Sequence, residues 1–277
     1  MRVRHGIGFY IFKYVVIILM LCFIFYPVFI VIISSFKSSP EILNNVFSLP
    51  GKIGFENYAR AWVEGTLYMF YGNSIIITFI SVVLITLFAS FLAFAISRED
   101  FIIKKLIYFV FIIGIAVPSQ VGIIPEYLLM ARLNILNTRI GLILVYVAYG
   151  LPFAVFIMYN FFRKIPKEIQ ESAVVDGCGN FRMYYNIIMP LSPSVITTVI
   201  IFSLVWVWND MFFPLILIKS RELKTLPSGL LGFRGEFTTD FSTMFAGVVL
   251  VSIPITVAYL LLQKKFVEGM TAGAIKG

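Results

Sequence analysis

The sequence predicts an all-α membrane protein with six transmembrane helices. Of its 277 residues, 60% are hydrophobic and 13% are charged, whereas soluble domains carry about 25% charged residues. The apolar residues occur in six long runs, without the alternating pattern of a membrane barrel strand. Because lipid offers the backbone no hydrogen-bond partners, spans of this kind are expected to be helical.

Six apolar segments are long enough to cross a bilayer, which takes about 20 residues in a helix. These segments are residues 14–34, 72–96, 106–129, 140–162, 190–218 and 241–263. Together they predict a single transmembrane domain over residues 1–277. The most polar connections are a central loop at 163–189 and a tail at 264–277.

The distribution of Lys and Arg predicts that both termini lie in the cytoplasm. The short segments that would then be cytoplasmic are denser in Lys and Arg than the longer loops on the other side. Basic residues near spans are retained on the cytoplasmic side. The same rule explains the net charge of +8. We therefore expect a multi-pass membrane protein that is surrounded by lipid and has no nucleic-acid partner.

The sequence holds no catalytic or metal-binding constellation. It lacks the G-x-x-x-x-G-K-[ST] loop that cradles nucleotide phosphates. His5 is its one histidine, so no Ser/His/Asp or Cys/His set can be assembled. Cys22 and Cys178 have no metal-ligand spacing. We expect no enzyme activity, no metal and no cofactor of the chain's own, and any transport is expected to be driven by another chain.

The third span contains a candidate for a transport pathway. Pro118, Gly122 and Pro125 should break or kink the helix around Gln120. Such breaks are tolerated at membrane depth only where protein or a water-filled cavity covers the backbone. Gln120 is therefore a candidate pathway residue. In the alternative interpretation the helix is merely kinked, and a neighbouring helix satisfies Gln120.

The fifth span carries two Trp rings, Trp206 and Trp208, beside Asn209 and Asp210. Indole stacks on the CH faces of sugars, while amide and carboxylate groups hydrogen-bond hydroxyls. Trp208, Asn209 and Asp210 are therefore further pathway candidates, since an intramembrane carboxylate is a functional-site hypothesis by default. The alternative places the Trp rings in the interfacial aromatic belt and Asp210 at a helix end.

The central loop carries the most distinctive pattern in the chain. Glu171-Ser172-Ala173 is followed by Gly177, and Ile187-x-Met189-Pro190 closes the loop. The pattern predicts a short helix up to Asp176, a turn that Gly177 permits, and a second short helix that ends at Pro190. Two such helices with a flat face of small residues are suited to docking in a groove of a partner protein.

This spacing resembles the EAA motif of permease subunits of bacterial ABC importers, which reads E-A-A, three residues, G, nine residues, I-x-L-P. The two departures from that pattern are Ser172 and Met189. The resemblance implies the type I ABC importer permease fold (MetI-like) and a docking site for a partner ATPase. The residues implied in ATPase coupling are Glu171, Ser172, Ala173, Asp176 and Gly177.

The tail resembles that of the MalG type, the smaller permease of oligosaccharide importers. Residues 266–277 are close to F-V-x-G-L-T-A-G-A-V-K-G. In that type the tail extends toward the ATPases, which implies contacts at Gly273, Lys276 and Gly277. Other stretches that fit the type are Phe55-Glu56-Asn57-Tyr58, Asn73-Ser74 and Trp208-Asn209-Asp210.

The resemblance implies a non-catalytic permease subunit that carries an oligosaccharide across a bacterial plasma membrane. The implied partners are a second, different permease, a dimer of ATPase chains that bind the ATP, and an extracellular sugar-binding protein. Two alternatives stay open. One is an ABC importer for a polyol or glycerol phosphate, and the other is an ion-coupled secondary transporter that needs no partner.

Overall fold

The computed structural model describes residues 7–98, 102–233 and 240–274, and its regular elements there are all helical. The α-helices are α1 Ile7–Ser34, α2 Ser39–Asn44, α3 Glu56–Val63, α4 Leu67–Arg98, α5 Lys104–Ala116, α6 Ile123–Arg132, α7 Arg139–Phe162, α8 Lys167–Val175, α9 Asn180–Met183, α10 Pro193–Asn209, α11 Phe212–Leu217, α12 Leu226–Leu230 and α13 Phe241–Ala274. Short 3-10 turns cover Ser119–Gly122, Arg221–Leu223 and Leu231–Phe233, and a π turn covers Tyr184–Ile188.

Four helices are each long and apolar enough to span a membrane, namely Gly8–Ser34, Leu67–Arg98, Arg139–Phe162 and Phe241–Gln263. Two helix pairs qualify only together, because each helix alone is too short, and each pair is sharply bent. Lys104–Ala116 and Ser119–Arg132 meet at 94°, and Asn180–Ile188 and Pro193–Asn209 meet at 86°. The described residues therefore provide four continuous candidate spans, or up to six if each bent pair is one span.

The third and fifth predicted spans are not continuous helices. Within 106–129, α5 ends at Ala116 and Val117 is extended. Pro118 explains this end, because a proline disfavours the helical conformation in the residue before it. Within 190–218, α10 ends at Asn209 and α11 begins only at Phe212. Pro152, in contrast, lies inside α7 without ending it.

By its contacts the chain divides into two compact units. One consists of Met1–Tyr68 with Leu230–Ile253, and the other of Met69–Gly229 with Pro254–Gly277. In the second unit α7 is the central element, and it packs against α5, α10 and α11. Its buried face includes Tyr146, Val155 and Met158, each fully or almost fully removed from solvent. This unit contains the central loop and the candidate pathway residues.

In the first unit, Asp240 organises the start of α13. Its carboxylate accepts hydrogen bonds from the Ser242 hydroxyl at 2.6 Å and from the Thr243 N–H at 3.2 Å, which caps the helix. Ser39 of α2 donates to the same carboxylate at 3.1 Å, and Arg60 of α3 lies 3.6 Å away. Partial burial raises the pKa of Asp240, but the hydrogen bonds outweigh it and hold the pKa at about 2. The carboxylate therefore stays ionised.

Candidate coupling and pathway sites

The central loop forms two short helices, and we name Lys167–Ile188 the coupling segment. Pro166 precedes α8 in an extended conformation, and Glu168 lies in the first turn, where its charge favours the helix dipole. The Gln170 side chain donates to the Pro166 carbonyl at 3.2 Å, which closes this first turn. The helix therefore begins directly after the proline and runs to Val175.

Gly177 ends α8 in a Schellman motif. Its N–H donates to the Val174 carbonyl at 3.0 Å, and the Cys178 N–H donates to the Ala173 carbonyl at 2.9 Å. The motif needs a residue in the left-handed region, and Gly177 has φ +75°. A Cβ at this position would have no atom within 4 Å. The position therefore requires glycine for its backbone conformation and not for lack of space.

The second helix of the segment continues as the π turn Tyr184–Ile188, in which the Met189 N–H donates to the Tyr184 carbonyl at 2.9 Å. Pro190 explains the wider turn. Proline has no N–H to donate, and its ring clashes with the carbonyl four residues earlier in a regular α-helix. The chain then bends by 86° into α10. The coupling segment is thus joined directly to a predicted span.

The buried side chain of Tyr184 anchors the coupling segment on α4. Tyr184 is 1% exposed, and its hydroxyl lies 2.6 Å from the Ser90 hydroxyl. Its ring stacks on Phe91 with centroids 4.5 Å apart and packs against Phe94 at 5.4 Å. Because these contacts surround the ring and satisfy its hydroxyl, displacement of the segment must also displace α4 or break them.

The opposite face of the segment is open. Of the predicted coupling residues, Glu171, Ser172, Asp176 and Gly177 are exposed. Ala173 is the exception, since it is 6% exposed and belongs to the apolar core. Val175 is 86% exposed. Phe181 is 71% exposed, but its ring stacks on Phe91 of α4 with centroids 6.2 Å apart, so it lies on the side of Tyr184. Val175 and Phe181 were not among the predicted coupling residues, and the sequence alone did not distinguish them from other apolar residues of the loop, such as Ile169 and Val174.

The predicted tail is helical in part. The backbone of α13 continues without interruption through Gly273 to Ala274. Lys276 and Gly277 lie outside the described residues. The proposed ATPase contacts of all three residues stay predictions.

Among the pathway candidates, Asp210 has a carboxylate that accepts three hydrogen bonds. It lies between α10 and α11, and its carboxylate accepts hydrogen bonds from the Tyr146 hydroxyl at 2.8 Å and from the N–H groups of Phe213 at 3.1 Å and Phe212 at 3.3 Å. It thereby caps α11 and joins it to α7. This geometry matches the alternative that places Asp210 at a helix end.

The other three candidates lie in different surroundings. Trp208 is 5% exposed. Asn209 is exposed, and its amide donates to the Val205 carbonyl at 2.8 Å. Gln120 is exposed in the 3-10 turn between α5 and α6. The contacts of Asp210 go to α7 and α11, so they do not join it to Gln120.

A cavity of about 330 Å³ lies between the end of α5, α7 and α10. We name it the α5–α7–α10 cavity. Its wall combines aromatic rings with hydroxyl groups, the combination that suits the apolar and polar faces of a sugar. The lining residues that matter here are Ser119, Tyr149, Phe153, Phe202, Ser203 and Trp206. Among the two Trp rings considered from the sequence, it is Trp206 and not Trp208 that reaches this cavity.

Trp208 lines a larger and more apolar cavity of about 540 Å³, between α4, α10 and α13. Its wall is mostly aliphatic and aromatic, with Thr78, Thr86 and Ser90 as the hydroxyl-bearing residues. Such a surface suits lipid or a neighbouring helix better than a sugar, since sugar hydroxyls buried without partners are costly.

Replacement of Asp210 is expected to lower stability. In Asp210→Ala the Tyr146 hydroxyl and two N–H groups lose their acceptor, and each buried unsatisfied donor costs about 1–3 kcal/mol. We expect a lower thermal unfolding temperature of the purified complex. Asp210→Asn retains one acceptor oxygen, so its unfolding temperature should lie between those of the wild type and Asp210→Ala. Equal unfolding temperatures for all three proteins would contradict the capping role, and changed uptake at unchanged stability would favour a pathway role.

The fold and the sites define a class of protein. The described residues hold four candidate membrane-spanning helices, or up to six if each bent pair is one span, and an exposed coupling segment. These are features of a multi-pass membrane transport subunit. Residues 85–271 match the family described as "Binding-protein-dependent transport system inner membrane component". The chain belongs to this family, and it is a multi-pass permease subunit of an ABC importer in the bacterial plasma membrane.

Two relatives align along nearly the whole chain. The chain is 32% identical over 252 residues to the diacetylchitobiose uptake system permease protein of Streptomyces coelicolor, with 90% of this chain and 83% of the relative covered. It is 33% identical over 271 residues to the multiple sugar-binding transport system permease protein of Streptococcus mutans, with 96% and 97% covered.

A solved structure has the same fold. The crystal structure of a bacterial ABC transporter involved in the import of the acidic polysaccharide alginate contains a chain that matches with a TM-score of 0.83. The match covers 95% of this chain and 99% of that one, at 23% sequence identity. This match confirms the predicted type I importer permease fold, and the family match over residues 85–271 confirms the resemblance to ABC importer permeases.

Proposed function

We propose that this chain is one of two different permeases that together move an oligosaccharide inward, with ATP hydrolysis in a pair of partner ATPases as the energy source. The observation that carries the proposal is the geometry of the coupling segment. It presents Glu171, Asp176 and Gly177 outward, while Tyr184 anchors its other face on α4. A partner that binds the open face can therefore act on the membrane helices.

The contacts suggest how movement is transmitted. When the ATPases close on ATP, a force on α8 passes through the Schellman turn into α9 and the π turn. From there it acts on α4 through Tyr184 and on α10 through the bend after Ile188. The α5–α7–α10 cavity would then open toward the outer side of the membrane, where an extracellular binding protein delivers the sugar. In this scheme the chain needs no cofactor of its own, because the partners bind the ATP.

The two relatives support a sugar as the cargo, since the one is named for diacetylchitobiose uptake and the other for transport of multiple sugars. The α5–α7–α10 cavity supports it independently. Trp206 and Tyr149 provide aromatic surface, and Ser119 and Ser203 provide hydroxyl groups. We therefore propose that cargo contacts this chain at Trp206 and Tyr149. The four residues predicted from the sequence, Gln120, Trp208, Asn209 and Asp210, do not line this cavity.

Reconstitution in liposomes tests the proposal. The chain with its second permease, the ATPases and the binding protein should take up a labelled oligosaccharide only when MgATP is present on the side of the membrane where the ATPases lie. Omission of the ATPases, or an ATPase variant that cannot hydrolyse ATP, is the control and should abolish uptake. Sugar transport by this chain alone would establish an ion-coupled carrier instead. Uptake of glycerol phosphate or a polyol but of no oligosaccharide would establish the other alternative.

A further inference from the structure

We infer that the outer end of this chain carries a basic surface that docks an acidic face of the extracellular sugar-binding protein. We name this surface the outer basic patch, and it consists of Arg132, Arg139, Lys219, Arg221 and Lys224. The inference rests on the proposed function, because it assigns a contact surface and a charge to one partner of that function. It combines the position of these residues, the hydrogen bonds that hold them together and their charge.

The patch lies at the end of the membrane helices opposite the coupling segment. Arg132 ends α6, Arg139 begins α7, and the other three residues follow α11. A hydrogen bond joins Arg139 to Asn73 near the start of α4, whereas the coupling segment is anchored at Ser90 of the same helix. At 1.5 Å per residue, these two positions in α4 are about 25 Å apart. With both chain termini in the cytoplasm, the coupling segment lies on the inner side and the patch on the outer side.

The side chain of Asn73 joins two segments of the patch. Its amide oxygen accepts a hydrogen bond from the Arg139 guanidinium at 2.9 Å. Its amide nitrogen donates to the backbone carbonyls of Glu222 at 2.7 Å and Lys224 at 2.9 Å. Asn73 thus brings the start of α7 and the loop after α11 to one side chain, although the two are more than 80 residues apart in the sequence.

Asn137 fixes the same loop at a second point. Its side-chain oxygen accepts hydrogen bonds from the N–H groups of Lys219 at 2.8 Å and Ser220 at 2.9 Å. Its amide donates to the Ser220 hydroxyl at 2.7 Å, and its backbone N–H donates to the Leu217 carbonyl at 3.0 Å. Asn137 has φ +58°, a left-handed conformation that Asn adopts more readily than most residues. The backbone that carries Lys219 is therefore held against the connection between α6 and α7.

The patch presents positive charge to the outside. Four of its five residues are exposed, and the fifth is half-buried. Two of the cations have uncharged neighbours, since Arg139 bonds a neutral amide and the Lys219 ammonium lies 5.5 Å from the centre of the Tyr127 ring. These contacts orient the two side chains without neutralising them. In the connection between α6 and α7 and in residues 218–225, Glu222 is the only acidic residue.

The position of these charges runs against the orientation rule for membrane proteins. Basic residues in short loops favour the cytoplasmic side of the membrane. Five basic residues at outer connections therefore weaken the orientation signal of the chain. Since topology does not account for them, they indicate a role on the outer surface, and a positive surface attracts and steers an acidic partner.

The fixed backbone favours a protein over lipid headgroups as the partner. Lipid headgroups can rearrange around charges in any geometry, so a lipid contact would not require the hydrogen bonds of Asn73 and Asn137. A protein surface carries its charges at fixed positions, and groups that are held in place beforehand lose less entropy on binding. In the proposed function the binding protein delivers its sugar on this side of the membrane. The binding protein is therefore the partner that fits the patch.

Charge reversal in the complete importer tests the patch. The importer is reconstituted in phosphatidylcholine nanodiscs, and ATP hydrolysis is measured against the concentration of the sugar-loaded binding protein. At low salt, Arg132→Glu combined with Lys219→Glu should raise the concentration for half-maximal stimulation about tenfold or more, with the maximum rate retained. Raising NaCl from about 0.05 M to about 0.3 M should raise this concentration for the unmodified importer and have little effect on the double variant, because salt screens exposed charges.

Two further variants serve as controls. Arg132→Gln combined with Lys219→Gln removes the two charges without reversing them, so it should give a smaller shift in the same direction. Lys105→Glu makes the same charge change at an exposed residue in the first turn of α5, on the inner side of the membrane. It should leave the half-maximal concentration unchanged.

Three outcomes overturn the inference. The first is an unchanged half-maximal concentration in the double Glu variant, whatever its maximum rate, and the second is an equal shift in Lys105→Glu. The third is a shift that occurs only in nanodiscs with anionic phosphatidylglycerol, which would assign the patch to lipid headgroups. If the binding protein stimulates the unmodified importer in any of these cases, only the basic patch is wrong. Absence of stimulation of the unmodified importer at every concentration contradicts the proposed function instead.

Discussion

Gly177→Asp is expected to lower ATP-driven sugar uptake to about a tenth or less, while the protein stays inserted in the membrane. The Schellman turn holds Gly177 at φ +75°. For a residue with a Cβ, the left-handed conformation costs roughly 1–2 kcal/mol, and about 1.4 kcal/mol corresponds to a tenfold change in population. The added carboxylate also lies next to Asp176 on the open face. Uptake in reconstituted liposomes and insertion in membranes are measured together.

Matched variants separate conformation from charge. Gly177→Asn has the same size as the Asp variant without its charge, and Asn adopts the left-handed region more readily than most residues. It should retain more uptake than Gly177→Asp. Gly179→Asp places the same charge two residues away, where φ is −73° and a Cβ has no atom within 4 Å. Wild-type uptake by Gly177→Asp would refute the role of this turn, and an equal loss in Gly179→Asp would assign the effect to charge alone.

Tyr184→Ala is expected to detach the coupling segment from α4. Removal of a large buried aromatic side chain costs about 3–5 kcal/mol, and here it also leaves the Ser90 hydroxyl without its partner. We expect a lower unfolding temperature of the purified complex. We also expect that the sugar-loaded binding protein no longer stimulates ATP hydrolysis. The reason is that movement could no longer pass between α4 and the ATPase docked on the coupling segment.

Tyr184→Phe is the control for this prediction. It keeps the stack on Phe91 and the contact with Phe94, and it loses only the hydroxyl contact, a net effect of about 1 kcal/mol. Ser90→Ala removes the same contact from the other side and should behave alike. If Tyr184→Ala keeps full stimulation of ATP hydrolysis at a reduced unfolding temperature, the residue has a purely structural role.

The sequence predicted well whatever depends on local pattern. Runs of apolar residues predict spans because a span must be apolar along about 20 consecutive residues. Pro118 predicted a break, and the structure places one at this position. Gly177 predicted a turn, and its φ of +75° agrees. Each of these features follows from the chemistry of one residue or one continuous segment.

Contacts between distant segments could not be predicted in this way. Tyr184 and Ser90 are 94 residues apart, and Asp210 and Tyr146 are 64 apart. A polar residue in an apolar run looks the same from the sequence whether it faces a pathway or satisfies a helix end. The sequence therefore favoured neither interpretation of Asp210 decisively, and the contact with Tyr146 supports the helix end.

The amino-acid sequence by itself determined that this is a helical membrane protein of the ABC permease family, because hydropathy, charge and motif spacing are properties of the linear chain. Only the tertiary structure decided which side chains meet. It buried Ala173, exposed Val175, placed Trp206 in the α5–α7–α10 cavity, and joined Asn73 to the loop that carries Lys224. The reason is that each of these outcomes depends on how separate helices pack, and hydrophobic packing is not directional enough for a local pattern to specify its partners.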